Sequence, residues 1–346
     1  MKYFWHWLFV LFSLMIFING DPLVPTLCIF GDSVMDAGNN NHLNTLFRAN
    51  FLPYGRDFET HKPTGRFSNG KLAADFIGEY LGFETYPPPY LSTNNKTLLL
   101  AGANFASAGS GYADQTARLY KAISLPRQVK YYKEWQDHMI SMVGKEKASV
   151  MFSSGLHILS AGSSDFLQNY YINPALRKFY KPSKIADILL TSYYTFVKNL
   201  YSLGVKRIGV TTLPPIGCLP AAITLFGSKN KCISRINKVA RMFNNKLNVT
   251  SQDLVASYPD LKLVVFDIYH PLLDLITKPS DNGFFESRRG CCGTGIVETS
   301  LLCNARSIGT CSNATGYVFW DGVHPSEAAN EILAQTLLEQ GLGLIS

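Results

Sequence analysis

A serine hydroxyl attacks well only when a base takes its proton, and a histidine base works best with a carboxylate holding its ring. Ser33, in Gly31-Asp32-Ser33 just after the apolar run Val24–Phe30, is a candidate nucleophile. At a strand-to-helix turn its hydroxyl projects and its own N–H points into the site. Among the seven histidines, His6 sits in an apolar leader, His42 and His61 in polar loops, and His157 inside a strand-like run. His138 lies on a helical stripe and His270 ends a strand. His324 differs, because Trp320-Asp321-Gly322-Val323-His324-Pro325-Ser326 puts a carboxylate three residues before it and a helix start after it. One short turn can then carry both groups, with Asp321 accepting the Nδ1–H, fixing the tautomer and stabilising the imidazolium. Each piece alone also suits a helix-capping turn. Together they point to acyl transfer through an activated serine. No G-x-S-x-G elbow exists, which argues against the α/β-hydrolase layout.

Those residues need a frame. Strand-like apolar runs recur at Val24–Phe30, Leu98–Phe105, Leu156–Ala161, Val205–Thr212 and Leu261–Phe266. Between them Lys71–Tyr80, Pro126–Val143, Ile185–Leu203 and Ile236–Val255 have helical spacing, as in the stripe Val129, Tyr132, Trp135, Met139 and Val143. Such alternation predicts a parallel sheet covered on both faces. Ligands of such sheets sit beyond the carboxyl ends of the strands. The turns at Gly31-Asp32-Ser33, Asn104 to Gly111 and Gly162-Ser163-Ser164-Asp165 should therefore meet on one rim. Long loops, notably Ala37–Asn69 and Glu84–Asn95, read as functional or glycosylated coverings. No linker divides the chain, so one domain is expected over 21–346.

The 346 residues are 47% hydrophobic and 16% charged, which excludes a disordered, coiled-coil or collagen-like chain. The net charge of +7 is scattered and has no Lys/Arg run, so nucleic acid is not an expected partner; a mildly basic surface suits acidic wall polymers. Residues 1–20, with Lys2 ahead of the apolar run Trp7–Ile18, read as a secretory signal peptide. That run is too short for a stable membrane anchor. Of seven cysteines, Cys28 lies in an apolar run and is expected to pack as a small hydrophobe. The other six suit disulfides. Cys218 with Cys232 would close a short loop, and Cys291, Cys292, Cys303 and Cys311 a second knot in an open order. No C-x-x-C spacing supports zinc, and no metal is expected. Asn95, Asn248 and Asn313 open N-x-S/T sequons for surface glycosylation.

The order Gly31-Asp32-Ser33-Val34, Asn104 to Gly109, Gly162-Ser163-Ser164-Asp165 and Asp321 to His324 resembles the GDSL esterase/lipase family of the SGNH hydrolase superfamily, in its plant secreted branch. Asp36-Ala37-Gly38-Asn39-Asn40-Asn41, Thr64 to Lys71, Leu213 to Cys218 and Cys291 to Gly295 match that branch as well. The resemblance implies a three-layer α/β/α sandwich of flavodoxin-like form, with a central, mostly parallel five-stranded sheet and no cofactor. It implies a Ser33–His324–Asp321 triad with oxyanion donors at Ser33, Gly109 and Ser164. Val34 replaces the leucine of the family name at a packing position. Ser164 stands where the family usually has asparagine, whose amide donates to the oxyanion. Losing one preorganised donor typically costs about 10²–10³ in turnover, so slow hydrolysis of generic esters is expected.

The implied activity is secreted carboxylic ester hydrolysis, in the cell wall or apoplast, on a small ester, lipid or acylated polysaccharide. Two other readings use the same residues. One is an acyltransferase that hands the acyl group to a sugar or lipid hydroxyl, and the other a wall or cuticle binding protein with a weakened site. The motifs carry no information on acyl length, alcohol or oligomeric state.

Overall fold

A computed structural model describes residues 21–93, 95–227 and 231–346, so the expected leader lies outside the described residues. Short apolar runs form a parallel sheet in the order β1 (Leu27–Gly31), β2 (Leu156–Ser160), β3 (Arg207–Thr211) and β4 (Lys262–Phe266). Its register pairs Leu27 with Leu156 and Gly31 with Ser160, so the glycine before the nucleophile turn lies level with the end of β2.

The fifth expected strand is shorter than its apolar run. Lys96–Ala101 is a 3₁₀ turn, with the Asn95 side chain accepting from Thr97 N. Only the segment after it runs beside β1, through Ile29 N to Ala103 O (3.0 Å), Phe105 N to Ile29 O (2.7 Å) and Ser107 N to Gly31 O (3.0 Å). Gly102 marks the junction. Its φ is +119°, and a Cβ there would lie 2.0 Å from the Leu27 carbonyl oxygen. A side chain at this close approach is excluded, and the strand begins only beyond it.

The helices are α1 (Ala73–Tyr80), α2 (Asp114–Tyr120), α3 (Leu125–Val143), α4 (Lys145–Ser154), α5 (Pro174–Phe179) and α6 (Pro182–Ser202). They continue as α7 (Pro220–Phe226), α8 (Ser234–Ser257), α9 (Tyr269–Thr277), α10 (Glu327–Gln340) and α11 (Leu342–Ile345). Proline sits in the first turn of α3, α5, α6 and α7, where its fixed φ suits the helix and its missing N–H costs nothing.

Alternation along β1 divides the core. Cys28 and Phe30 pack with Tyr132 and Trp135 of α3, Phe196 of α6 and Phe243 of α8. Leu27 and Ile29 face the opposite way, against Phe76 and Ile77 of α1 and Leu337 of α10. The result is a three-layer α/β/α sandwich. Phe30 stacks on Phe105 at 5.1 Å and meets Phe196 edge-on at 5.4 Å, and each such fully buried ring contributes roughly 1.5–3 kcal/mol through burial.

A third cluster lies under the loops and joins Tyr54, Phe67 and Trp320 to Cys291, Cys292 and Cys303. It is built on a parallel pair that no apolar run announces, β5 (Glu286–Gly290) and β6 (Tyr317–Phe319). The disulfides are Cys218–Cys232, Cys291–Cys311 and Cys292–Cys303, which resolves the order of the second knot. Cys28 is free and buried in β1, and burial pushes its thiol up to about 12.

Candidate active site

The Gly31-Asp32-Ser33 turn starts where β1 ends. Gly31 has φ +133°, and a Cβ there would stand 1.9 Å from the Ser160 carbonyl oxygen. Only glycine lets the chain pass this close to β2 and swing Ser33 outward. Gln128, buried on α3, clamps the same residue from below: Gly31 N donates to its Oε1 and its Nε2 donates to Gly31 O, both at 2.9 Å.

His324 arrives from β6. Beyond Phe319 the chain makes the tight turn Trp320 to His324, closed by Trp320 N to His324 O at 2.9 Å. His324 Nε2 lies 2.7 Å from Ser33 Oγ, and its Nδ1 lies 2.8 Å from Asp321 Oδ2. Asp321 is fully buried, and its Oδ1 accepts from the Val323 and His324 amides at 2.8 Å. Its Oδ2 also accepts from the Tyr54 hydroxyl at 2.7 Å and from Thr299 Oγ1 at 3.2 Å. Burial alone would push this carboxyl up, but the His324 charge, the His324 hydrogen bonds and the Tyr54 hydroxyl hold it below the usual carboxylate range. The Phe67 ring packs 5.0 Å from the imidazole. Tyr54, Thr299 and Gln128 are not singled out by the sequence, because they reach the site from loops and a helix remote in the chain, whereas Phe67 lies in the family-like stretch Thr64 to Lys71.

The same Asp-x-x-His spacing recurs after β4, where His270 Nδ1 meets Asp267 Oδ2 at 2.6 Å on an exposed surface. Ser33 faces His324, and the pair at Asp267 and His270 is a surface contact.

The remaining Gly/Ser turns lie differently with respect to Ser33. Ser164 is buried and shares with Ser33 the wall of a cleft of about 800 Å³, solvent at its mouth included. Its other walls are largely apolar, with Met35, Leu167, Leu219, Leu272, Leu333 and Leu337 among them. Gly109 is not part of that lining; it has φ +83° and sits against Tyr120. Its turn is tied to the nucleophile loop by Asp36, which accepts from Ala108, Gly38 and Asn39 amides, and by Asn40 Nδ2 to Ala108 O at 2.8 Å. Asp165 joins the third turn to the second by accepting from Tyr112 N (2.7 Å), Ala113 N (3.2 Å) and Thr116 Oγ1 (2.6 Å).

Three carboxyls around Ser33 are pushed up by burial: Asp32 to about 7, Asp36 to about 6 and Asp165 to about 6. His157 pairs with the Tyr132 hydroxyl in the core, and burial lowers it to about 4. Among the described residues no group of three or more His, Cys, Asp or Glu is arranged to hold a metal, and no helix is long and apolar enough to cross a membrane. Asn95, Asn248 and Asn313 are all exposed, and the first and last accept hydrogen bonds from Thr97 and Thr315 two residues on.

The family model described as GDSL-like Lipase/Acylhydrolase matches residues 27–337, which include all of the turns described above. The GDSL esterase/lipase At5g03820 of Arabidopsis thaliana is 63% identical, over 95% of this chain and 94% of that protein. At5g22810, a GDSL esterase/lipase of the same plant, is 58% identical over 99% of this chain and 98% of its own length. With a matched domain, relatives of this identity and a serine facing a histidine at the sheet rim, this chain belongs to the GDSL-like lipase/acylhydrolase family and is a carboxylic ester hydrolase.

Proposed function

We propose that Ser33, His324 and Asp321 are the catalytic triad of a secreted acyl-ester hydrolase. The observation that carries the reading is the continuous hydrogen-bond chain from Ser33 Oγ through the imidazole to Asp321, at 2.7 and 2.8 Å. Ser33 Oγ bonds to the ester carbonyl carbon while His324 Nε2 takes the hydroxyl proton. The tetrahedral intermediate collapses, the C–O bond to the alcohol breaks, and Nε2–H returns its proton to the leaving oxygen. Water then repeats the sequence on the acyl-enzyme, freeing the acid and Ser33. Asp321 stays ionised throughout and steadies the imidazolium.

The oxyanion donors are the Ser33 and Gly109 N–H groups with the Ser164 hydroxyl. The apolar cleft walls support an aliphatic acyl group seated beside Ser33. The apolar leader, three disulfides and exposed sequons support passage through the secretory route to the wall, as one hydrolase domain spanning 21–346.

Ser33→Ala should abolish p-nitrophenol release from a short acyl ester and block labelling by a fluorophosphonate. Survival of either would mean a different nucleophile. Ser164→Asn supplies a fixed amide donor and should raise kcat with the nucleophile unchanged. An equal or lower kcat would remove Ser164 from the oxyanion site.

A further inference from the structure

The segment between the π-helical turn Asp165–Tyr170 and α6 projects from the core, against which Tyr171 and Leu176 pack in part. It forms α5, on which no residue is buried. Ile172 is 55% exposed, Phe179 73% and Tyr180 40%, although burial in the core would be the ordinary fate of such side chains. From Phe166 to Ala186 the chain carries four cations, Arg177, Lys178, Lys181 and Lys184, and no carboxylate. All four are solvent-exposed. Apolar and cationic groups are interleaved here, with Lys178 Nζ 5.8 Å from the Phe179 ring.

This face is continuous with the substrate cleft. Leu167 and Gln168 line the cleft, and the chain passes from them through Tyr170 into the projecting segment. The Tyr170 hydroxyl donates to Tyr180 O at 3.0 Å and pins the far end of the excursion to the cleft wall. Tyr171 packs 5.9 Å from Phe226 of α7, a helix that begins beside the cleft-lining Leu219 and exposes Leu225 by 59%. Exposed apolar residues thus stand on two packed segments that each adjoin a cleft-lining residue, with the cations on one of them.

We propose that Ile172, Phe179, Tyr180 and Leu225, with Arg177, Lys178, Lys181 and Lys184, form a docking face that seats the enzyme on the surface of aggregated, negatively charged lipid. The proposal rests on the ester-hydrolase reading and adds the physical state of the substrate. Apolar side chains that enter the acyl boundary beside cations that meet anionic headgroups make the pattern of an interfacial anchor. An acidic polysaccharide would engage the cations and leave Phe179 and Ile172 in water, so the apolar tips favour lipid. Docking on this face would bring the cleft mouth to the lipid surface, and an acyl chain could reach Ser33 without crossing bulk water.

The test uses the full chain. Ser33→Ala protein is floated with vesicles of phosphatidylcholine, with and without phosphatidylglycerol. Binding is expected on the anionic vesicles and should weaken as salt rises. Adding Ile172→Ser with Phe179→Ser should weaken binding by about tenfold, and Arg177→Gln with Lys178→Gln and Lys181→Gln by roughly fivefold per cation. With Ser33 intact, Ile172→Ser with Phe179→Ser should slow hydrolysis of a vesicle-borne ester by about tenfold and leave p-nitrophenyl acetate turnover unchanged, which also reports correct folding. Absence of vesicle binding by the parent, equal binding by the variants, or equal loss on both esters would overturn the proposal. So would cation-dependent binding to polygalacturonate with vesicle binding unaffected. Vesicle binding that behaves as expected in a protein with no esterase turnover would strike the hydrolase reading and leave the docking face standing.

Discussion

Tyr54→Phe tests whether the carboxylate behind His324 is held as tightly as its contacts imply. The hydroxyl donates to Asp321 Oδ2 at 2.7 Å and accepts from Ser300 N at 2.8 Å. Removing it takes away one bond to a charged group, worth about 1.5–3 kcal/mol, and strands a buried amide at a cost of about 1–3 kcal/mol. The expected loss is therefore about 2.5–6 kcal/mol in urea unfolding at neutral pH. The variant also titrates differently. Asp321 is held below its ordinary pKa in the fold, so its stabilising contribution is present above that value and is lost as pH falls through the folded one. Without the Tyr54 donor, burial is less well opposed and the folded pKa rises. The loss of stability on acidification should then begin at higher pH, followed by urea unfolding across the acid range. Thr299 Oγ1, at 3.2 Å, is the one side-chain hydroxyl left on that oxygen. An unchanged urea midpoint at neutral pH together with an unmoved acid transition would refute the reasoning.

Asp32 is pushed up by burial to about 7, so the folded chain keeps this proton longer than the unfolded one. Its contribution to stability is full below pH 4 and declines as pH rises to 7, by up to about 4 kcal/mol; Asp32→Asn should flatten that decline in urea titrations at pH 5 and pH 8, and parallel slopes would count against it. Cys292→Ser with Cys303→Ser opens the knot whose Cys292 N donates to Trp320 O at 2.8 Å. It should cost about 2–4 kcal/mol and lower kcat more than it changes KM, whereas an unaltered kcat would uncouple the knot from the base turn. Gly31→Ala places a methyl 1.9 Å from Ser160 O at a positive φ, so little soluble enzyme is expected, and a folded, fully active variant would mean that the turn has another origin.

The proposed triad was legible because each member sits next to a local signal. Ser33 follows a glycine at a strand end, and Asp321 and His324 share one turn. Spacing alone was not sufficient, as Asp267 and His270 repeat it on the surface. The alternation of apolar runs predicted the sheet, with one exception. Leu98–Phe105 is apolar enough for a strand, yet Gly102 passes so close to Leu27 that only the residues beyond it pair with β1. β5 escaped notice because its sequence, Glu-Ser-Arg-Arg-Gly, has no apolar pattern; its pairing with β6 depends on the loop cluster around Trp320 and the disulfides. Tyr54 and Gln128 were invisible for a related reason. Both are polar groups whose partners lie far away in the chain, and only tertiary packing reveals such pairs.

Ser33 and His324 stand 291 positions apart, yet their side chains touch. On the proposed roles, the serine is synthesised long before the imidazole it meets, and β2, β3 and β4 of the main sheet are made in between. Ester turnover would then report that the turn after β6 has closed on the end of β1.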